Sequence, residues 1–304
     1  MHQNRGQPDR TLAHLFALVC ETLCIGRTYK LVDTTAPKSL AITAVYVLLS
    51  LASATPVTLE ARDLLNPIGP TATAEQEKWC LALDYDTYSC YNTAAISSTG
   101  QLNSGQDPGK SQNEILSFCH KEDCLTKHNI YVQSKCNNGW CAHMYDYYFE
   151  SDFGIGGREH IAVWVQNGQL KFVSASEHGK WNIHFPGQNP KIRFEGSTHA
   201  KIVYHKDGAG THAFRYANGG DEPPENHWQS WRWRIGAGLL KWDSIAGNLR
   251  TTLSQKDWGK AEVAVRDKGG KAWSFGWYLD RSRYYCVTEL ECPGNLATAF
   301  DPWA

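Results

Sequence analysis

The segment from His160 to Ala175 constrains the fold more than any other. His160-Ile-Ala-Val-Trp-Val-Gln166 and Gln169-Leu-Lys-Phe-Val-Ser-Ala175 are β-branched and aromatic runs that flank Asn167-Gly168. An Asn-Gly pair accepts the positive φ angles of a type I′ turn, so the segment predicts a β-hairpin. Lys201-Ile-Val-Tyr-His205 and Thr211-His-Ala-Phe-Arg-Tyr216 predict a second hairpin around Gly208-Ala209-Gly210. Ala261-Glu-Val-Ala-Val-Arg266 alternates and predicts a further strand. Helical patterns are few, with candidates at Asn113–His120 and Ser244–Ser254. Short strands with frequent turn signals predict a mainly β chain from Trp79 onward: an antiparallel β-sandwich with a few short peripheral helices. No internal repeat or low-complexity tract interrupts it.

Composition narrows the functional classes. The formal net charge is −1, so no basic face is evident for nucleic acid or an anionic membrane. The 12 Trp and 14 Tyr suit strands and recognition surfaces. Neither H-E-x-x-H nor G-x-S-x-G occurs, which leaves a metal-dependent hydrolase with only the His content for support.

An export signal is legible in an unusual place. Lys38, the apolar run Leu40–Leu51 and Ala52-Ser53-Ala54 together read as a secretory signal peptide, with cleavage after Ala54. The run falls short of the roughly 18 apolar residues a membrane span needs. Residues 1–37 precede it, and the alternative is a buried helix of a longer N-terminal domain. The expected division is an N-terminal extension with signal peptide over 1–54, a Pro-containing leader over 55–77, and the folded domain over 78–304.

The cysteines fit export. Eight of the 10 Cys fall in close pairs: Cys80 and Cys90, Cys119 and Cys124, Cys136 and Cys141, Cys286 and Cys292. In a secreted chain an even count reads as disulfides, whose connectivity the sequence leaves open. The alternatives are reduced thiols and a zinc site using cysteines with His120 and His128.

Local strings point to a family. Leu83–Asn92 (LDYDTYSCYN), Ser134–Glu150 (SKCNNGWCAHMYDYYFE), Glu159–Val165, Val173–Gly179, Val203–His212 and Phe300–Trp303 occur in the order seen in necrosis- and ethylene-inducing-peptide-like proteins. The resemblance spans about residues 78 to 304 and is nearest to fungal-type members. It implies a β-sandwich, an extracellular location and a cytolysin, not an enzyme. The implied partners are the glycosylated inositol-phosphoceramide lipids of plant plasma membranes, bound through a divalent cation (Mg²⁺ or Ca²⁺) in a surface cleft, and plant immune receptors that sense the region of Cys136–Phe149. The alternative is a non-lytic extracellular glycan-binding or immune-eliciting module. The family's habits also imply a Cys90–Cys119 disulfide, with Cys136–Cys141 as a second.

The centre of the resemblance is incomplete. The family heptapeptide is Gly-His-Arg-His-Asp-Trp-Glu, and the matching stretch here is Gly156-Gly157-Arg158-Glu159-His160. Gly157, Arg158 and Glu159 align with the motif's Gly, Arg and Glu, and Asp152 with an acidic ligand upstream. The remaining motif positions have no counterpart. Either the chain has diverged or a coding segment is missing; Lys271–Pro293, which has no family counterpart, suits the second. The implied metal ligands are Asp152 and Glu159, with Arg158, His178 and His212 lining the cleft. Two carboxylates leave most of a hard cation's shell to water, so cation binding is expected to be weak or absent. The shortening is expected to fall in the loop before His160, because a slip of one residue would turn Ile161–Val165 over. Trp228, Trp231 and Trp233 alternate near Arg232 and Arg234, as either an exposed stacking surface or core.

Overall fold

The structure, a computed structural model, describes residues 64–152, 157–188, 191–208, 211–232, 238–259, 261–266, 274–289 and 296–303. The expected signal peptide lies outside them, as do Trp233, Arg234 and Cys292.

The strands are β1 (Ala82–Tyr85), β2 (Ile130–Asn137), β3 (Trp140–Phe149), β4 (Gly157–Gln166), β5 (Gln169–Glu177), β6 (Lys180–His184), β7 (Phe194–Glu195), β8 (His199–Asp207), β9 (Thr211–Tyr216) and β10 (Leu239–Lys241). Six form one sheet in the order β10-β2-β3-β4-β5-β6, and the other four gather around β8. Pairing is antiparallel except at β1 with β8 and β10 with β2, which are parallel. The Asn167-Gly168 hairpin forms as expected, with φ of 50° and 74° and a Gln166–Gln169 pair across the turn. Asn138-Gly139 and His178-Gly179 adopt the same signs of φ in the turns before β3 and β6. The β3–β4 register runs unbroken from Trp140–Gln166 to Phe149–Gly157.

Both faces of the six-stranded sheet are buried. Ile161, Val163 and Val165 of β4 meet Ile202, Tyr204 and Phe214 of the other sheet. Ala162 and Trp164 point the opposite way, as the period of a strand requires, into a second core with Leu249, Leu253, Leu279 and Phe300. That core is closed by three further pieces. Helix α3 (Gly247–Gln255) overlaps the expected Ser244–Ser254 helix, and helices α4 (Phe275–Glu289) and α5 (Leu296–Ala299) complete the cover. The Trp164 indole donates to Ser282 Oγ at 3.0 Å. The ring of Tyr278 meets His160 edge-on at 4.7 Å. The Lys271–Pro293 stretch thus supplies a core-covering helix, where the sequence pattern suggested only short peripheral ones.

Two other expectations change. Ala261–Arg266 is not a strand. Val263, Ala264 and Val265 are fully buried, yet the Ala264 N–H donates to Asp146 Oδ2 at 2.7 Å and not to a neighbouring strand. The alternation reflected burial without pairing. The leader also joins the fold before residue 78. Asn129 brackets Ile68, accepting from its N–H at 3.1 Å and donating to its carbonyl at 2.8 Å. The N–H groups of Thr71 and Ala72 donate to Leu239 O. Thr73 and Gln76 then form a capping box for α1 (Ala74–Lys78).

Helix α2 (Gln112–Cys119) starts on a Ser111–Glu114 capping box, close to the expected Asn113–His120. Its last residue bonds Cys90, and Cys136 bonds Cys141 across the β2–β3 turn. Those cysteines are therefore unavailable to a zinc ion. Cys124 is a buried thiol whose pKa burial pushes up to about 12. The two bridges enclose 29 and 5 residues of separation. Chain entropy then predicts that replacing Cys90 and Cys119 by Ser costs about 3–4 kcal/mol and replacing Cys136 and Cys141 about 2. Urea unfolding of the two double variants checks the order.

Candidate functional site

The candidate cleft lies where the loop after β3 meets β4, β8 and β9. Glu150 fixes the start of that loop: its carboxylate accepts from Asn103 Nδ2 at 2.8 Å and Gln106 Nε2 at 2.5 Å, and its carbonyl from the Gln106 N–H. Two residues on, Asp152 Oδ1 accepts the His212 backbone N–H at 2.9 Å, and His212 Nδ1 lies 3.5 Å from the same oxygen. The Asp152 side chain rests on Gly157. A Cβ there would sit 2.3 Å from Asp152 Cβ and 2.8 Å from Oδ2, so only glycine fits. This gives the motif glycine a steric reason.

Glu159 follows one strand position from Arg158, and the two diverge. The Glu159 carboxyl accepts from the Ser176 hydroxyl, whose oxygen in turn accepts the His160 N–H at 2.9 Å. Burial, and then the charges of Asp152 and Asp146, hold the Glu159 pKa well above the usual carboxylate range. Its acid form is therefore favoured.

Tyr204 is buried behind these side chains. Its ring stacks on Phe149 at 3.6 Å and faces His212 at 5.2 Å. The hydroxyl is buried and has no hydrogen-bond partner among the described residues. Burial, with the charges of Asp152, Glu159 and Asp86, keeps it protonated. The turn Asp86–Ser89 forms the lip. Asp86 accepts from the N–H groups of Tyr88 and Lys206, and the Tyr88 carbonyl meets His212 Nε2 at 3.2 Å.

The structure therefore brings Asp152, Glu159 and His212 around Tyr204. It does not bring Arg158 there. The Arg158 guanidinium is fully buried on the opposite face of β4, paired with Asp146 and ringed by Tyr131, Tyr148 and Trp258 at 5.1–5.9 Å. The expectation that it lines the cleft is corrected by strand alternation alone. His178 stays at the rim. It is a turn residue with φ of 47°, and its Nε2 lies 2.9 Å from Asp207 Oδ2, with both side chains exposed. Of the aromatic run, Trp231 is buried and donates to Glu222, while Trp228 is exposed and donates to Glu122. Tyr204 and Ser176 were missed by the sequence reading. Tyr204 lies within the family string Val203–His212, and its inward phase in β8 was the available signal.

A divalent cation fits this donor set poorly. Hard cations take six or more oxygens. Here one carboxylate accepts a backbone N–H and the other is held towards its acid form. Among the described residues no group of three or more His, Cys, Asp or Glu could hold a metal ion.

The family model described as necrosis inducing protein (NPP1) matches residues 73–273. The chain belongs to this family. NLP effector protein 10 of Phytophthora capsici is 28% identical over 192 residues, which are 60% of this chain and 73% of that protein. Necrosis-inducing protein NPP1 of Phytophthora nicotianae is 26% identical over 223 residues, or 68% and 85%. The solved structure of NLPPya in complex with glucosamine superposes with a TM-score of 0.54 at 20% identity, covering 72% of this chain and 95% of that one. At that identity the likeness shows the fold. The NPP1 match ends at Trp273, so α4 and α5 lie beyond it.

Proposed function

We propose that this chain is an extracellular relative of the necrosis-inducing proteins that binds the glycosylated inositol-phosphoceramide headgroups of plant membranes without lysing them. One observation carries the reading. The two carboxylates of the motif region are engaged within the protein, Asp152 on the His212 N–H and Glu159 on Ser176, and among the described residues they belong to no group of three or more His, Cys, Asp or Glu that could hold a metal ion. The partly exposed side chains of Asp152 and His212 still offer hydrogen-bonding groups to the hydroxyl and amino groups of a sugar. That NLPPya takes glucosamine on the same fold supports a sugar as the occupant. The Cys90–Cys119 and Cys136–Cys141 disulfides suit an oxidising, extracellular setting.

Plant immune receptors remain a second class of partner in this reading. In the folded chain Tyr145, Tyr147, Tyr148 and Phe149 are fully buried. A receptor that reads Cys136–Phe149 would therefore need that strand released by proteolysis.

The experiment uses vesicles made with plant glycosylated inositol-phosphoceramide. The expected result is binding by flotation that a chelator leaves unchanged, with no release of entrapped dye. Asp152→Ala should weaken that binding about tenfold or more, as losing a charged hydrogen-bonding group does. Dye release that Ca²⁺ or Mg²⁺ restores and a chelator abolishes would overturn the reading.

A further inference from the structure

A pair of imidazoles outside the cleft shares one environment. His120 follows α2, and His227 lies in the loop that precedes Trp228. Their ring centroids are 5.5 Å apart, with the planes 47° to each other. Tyr91 braces both: its ring stacks on His120 at 4.3 Å and meets His227 at 5.8 Å and 63°. His227 is exposed and His120 half-buried, so the pair opens to solvent.

Both rings are oriented through Nδ1. His120 Nδ1 lies 2.5 Å from the Ser89 carbonyl, and a carbonyl can only accept. His120 Nδ1 therefore carries the proton, and in the neutral ring Nε2 carries the lone pair. His227 Nδ1 lies 2.8 Å from the Tyr91 hydroxyl, whose oxygen also accepts the His227 backbone N–H at 3.1 Å. With His227 Nδ1 as the donor, the phenol oxygen accepts from both groups and Nε2 keeps its lone pair for a ligand. An Nδ1–H given to a carbonyl or hydroxyl is the usual support of a metal-bound imidazole.

The loop is also built to hold its position. Asp84, buried beneath it, accepts from the N–H of Glu225 at 3.0 Å, the N–H of Asn226 at 3.1 Å and Asn226 Nδ2 at 3.0 Å. On the other side the Cys90–Cys119 bridge ties the residue before Tyr91 to the residue before His120.

The separation of the rings matches one shared ion. With Zn–N bonds of about 2.0–2.1 Å and a tetrahedral angle, two imidazoles on one zinc have centroids about 5 Å apart. Imidazole suits zinc, copper and nickel, whereas Mg²⁺ and Ca²⁺ prefer oxygen. We propose that His120 and His227 form a surface site for a transition-metal dication, held by the two Nε2 atoms with water in the open positions. The site is distinct from the motif cleft. It meets the cleft at the Asp86–Ser89 turn, where the Tyr88 carbonyl holds His212 and the adjacent Ser89 carbonyl holds His120.

Calorimetric titration of the chelator-treated full chain with Zn²⁺ tests this. One site is expected. His120→Ala and His227→Ala should each weaken it about tenfold or more, while Asp152→Asn with Glu159→Gln leaves it unchanged. Unaltered Zn²⁺ affinity in His227→Ala would overturn the proposal, as would its loss in the cleft variant. The unmodified protein gives a second readout that does not depend on how the variants fold. Substoichiometric Cu²⁺ should broaden the NMR signals of His120 and His227 before those of His178, His199 and His205. Broadening that starts elsewhere would count against the site.

Discussion

Asp146→Ala is expected to destabilise the fold by about 3–5 kcal/mol, the cost of stranding one partner of a buried ion pair. Asp146 and Arg158 are both fully buried in their side chains and bonded to each other. Among the described residues Arg158 Nε and Nη1 have no acceptor, so removing Asp146 leaves the guanidinium without its carboxylate partner. The same carboxylate accepts the Ala264 N–H and lies 3.7 Å from His160 Nδ1. Its loss therefore also frees the buried Val263–Val265 segment from the sheet. Burial pushes the Asp146 pKa up, and Arg158 opposes that shift. Desolvation is thus a large opposing cost for the pair. For this reason Asp146→Leu combined with Arg158→Met should recover much of the stability lost in the single variant. Urea unfolding of the single and double variants checks both statements. A double variant as unstable as Asp146→Ala would show that the Ala264 bond, not the stranded charge, dominates.

Acidification from pH 6.5 to 4 should remove stability on the order of 5 kcal/mol through two histidines. Burial pushes the His143 pKa down to about 4. Burial and the charge of Arg158 push His160 down to about 3. The unfolded chain binds protons on both near the ordinary value of about 6.5. Their contribution is therefore complete above that value and declines as pH falls towards the folded values. His143 shows why: its Nδ1 meets Ser134 Oγ at 2.8 Å, while its buried Nε2 has no hydrogen-bond partner among the described residues. Glu159 has the opposite sign. Its raised folded pKa adds stability below the ordinary value of about 4.3, which is lost as pH rises through the folded one. Urea midpoints between pH 7 and 4.5 should fall for the parent and fall less for His143→Gln. An identical slope in that variant would refute the assignment to His143.

Local chemistry was the legible part of this chain. Asn167-Gly168 dictated its turn because few residue pairs accept two positive φ values. The Cys90–Cys119 and Cys136–Cys141 bridges were implied by the family resemblance. Ser111 and Glu114 closed a capping box close to where the helical pattern began. Long-range placement was harder to read. Val263 and Val265 look like strand residues, but a buried carboxylate from β3 satisfies the backbone between them. Nothing local to Ala261–Arg266 announces that partner. The α4 segment mixes Trp, Tyr, Asp and Arg, and its buried residues Tyr278, Leu279 and Ser282 make sense only against Trp164 and His160. Asp152 and Glu159 were expected at the candidate site through the motif. Tyr204 escaped because a strand tyrosine carries no signal until its neighbours across the two sheets are known. The Arg158 error was avoidable, since adjacent strand residues face opposite ways.

The six-stranded sheet is a wall common to two apolar chambers. Val163 and Trp164 are back to back on β4, one in each chamber. Stripping α4 from the outer chamber would wet one side of strands whose other side holds the sandwich together. Neither chamber can then melt while the other persists. The covering elements beyond Trp273 should share a single thermal transition with the cleft instead of unfolding as a detachable appendage.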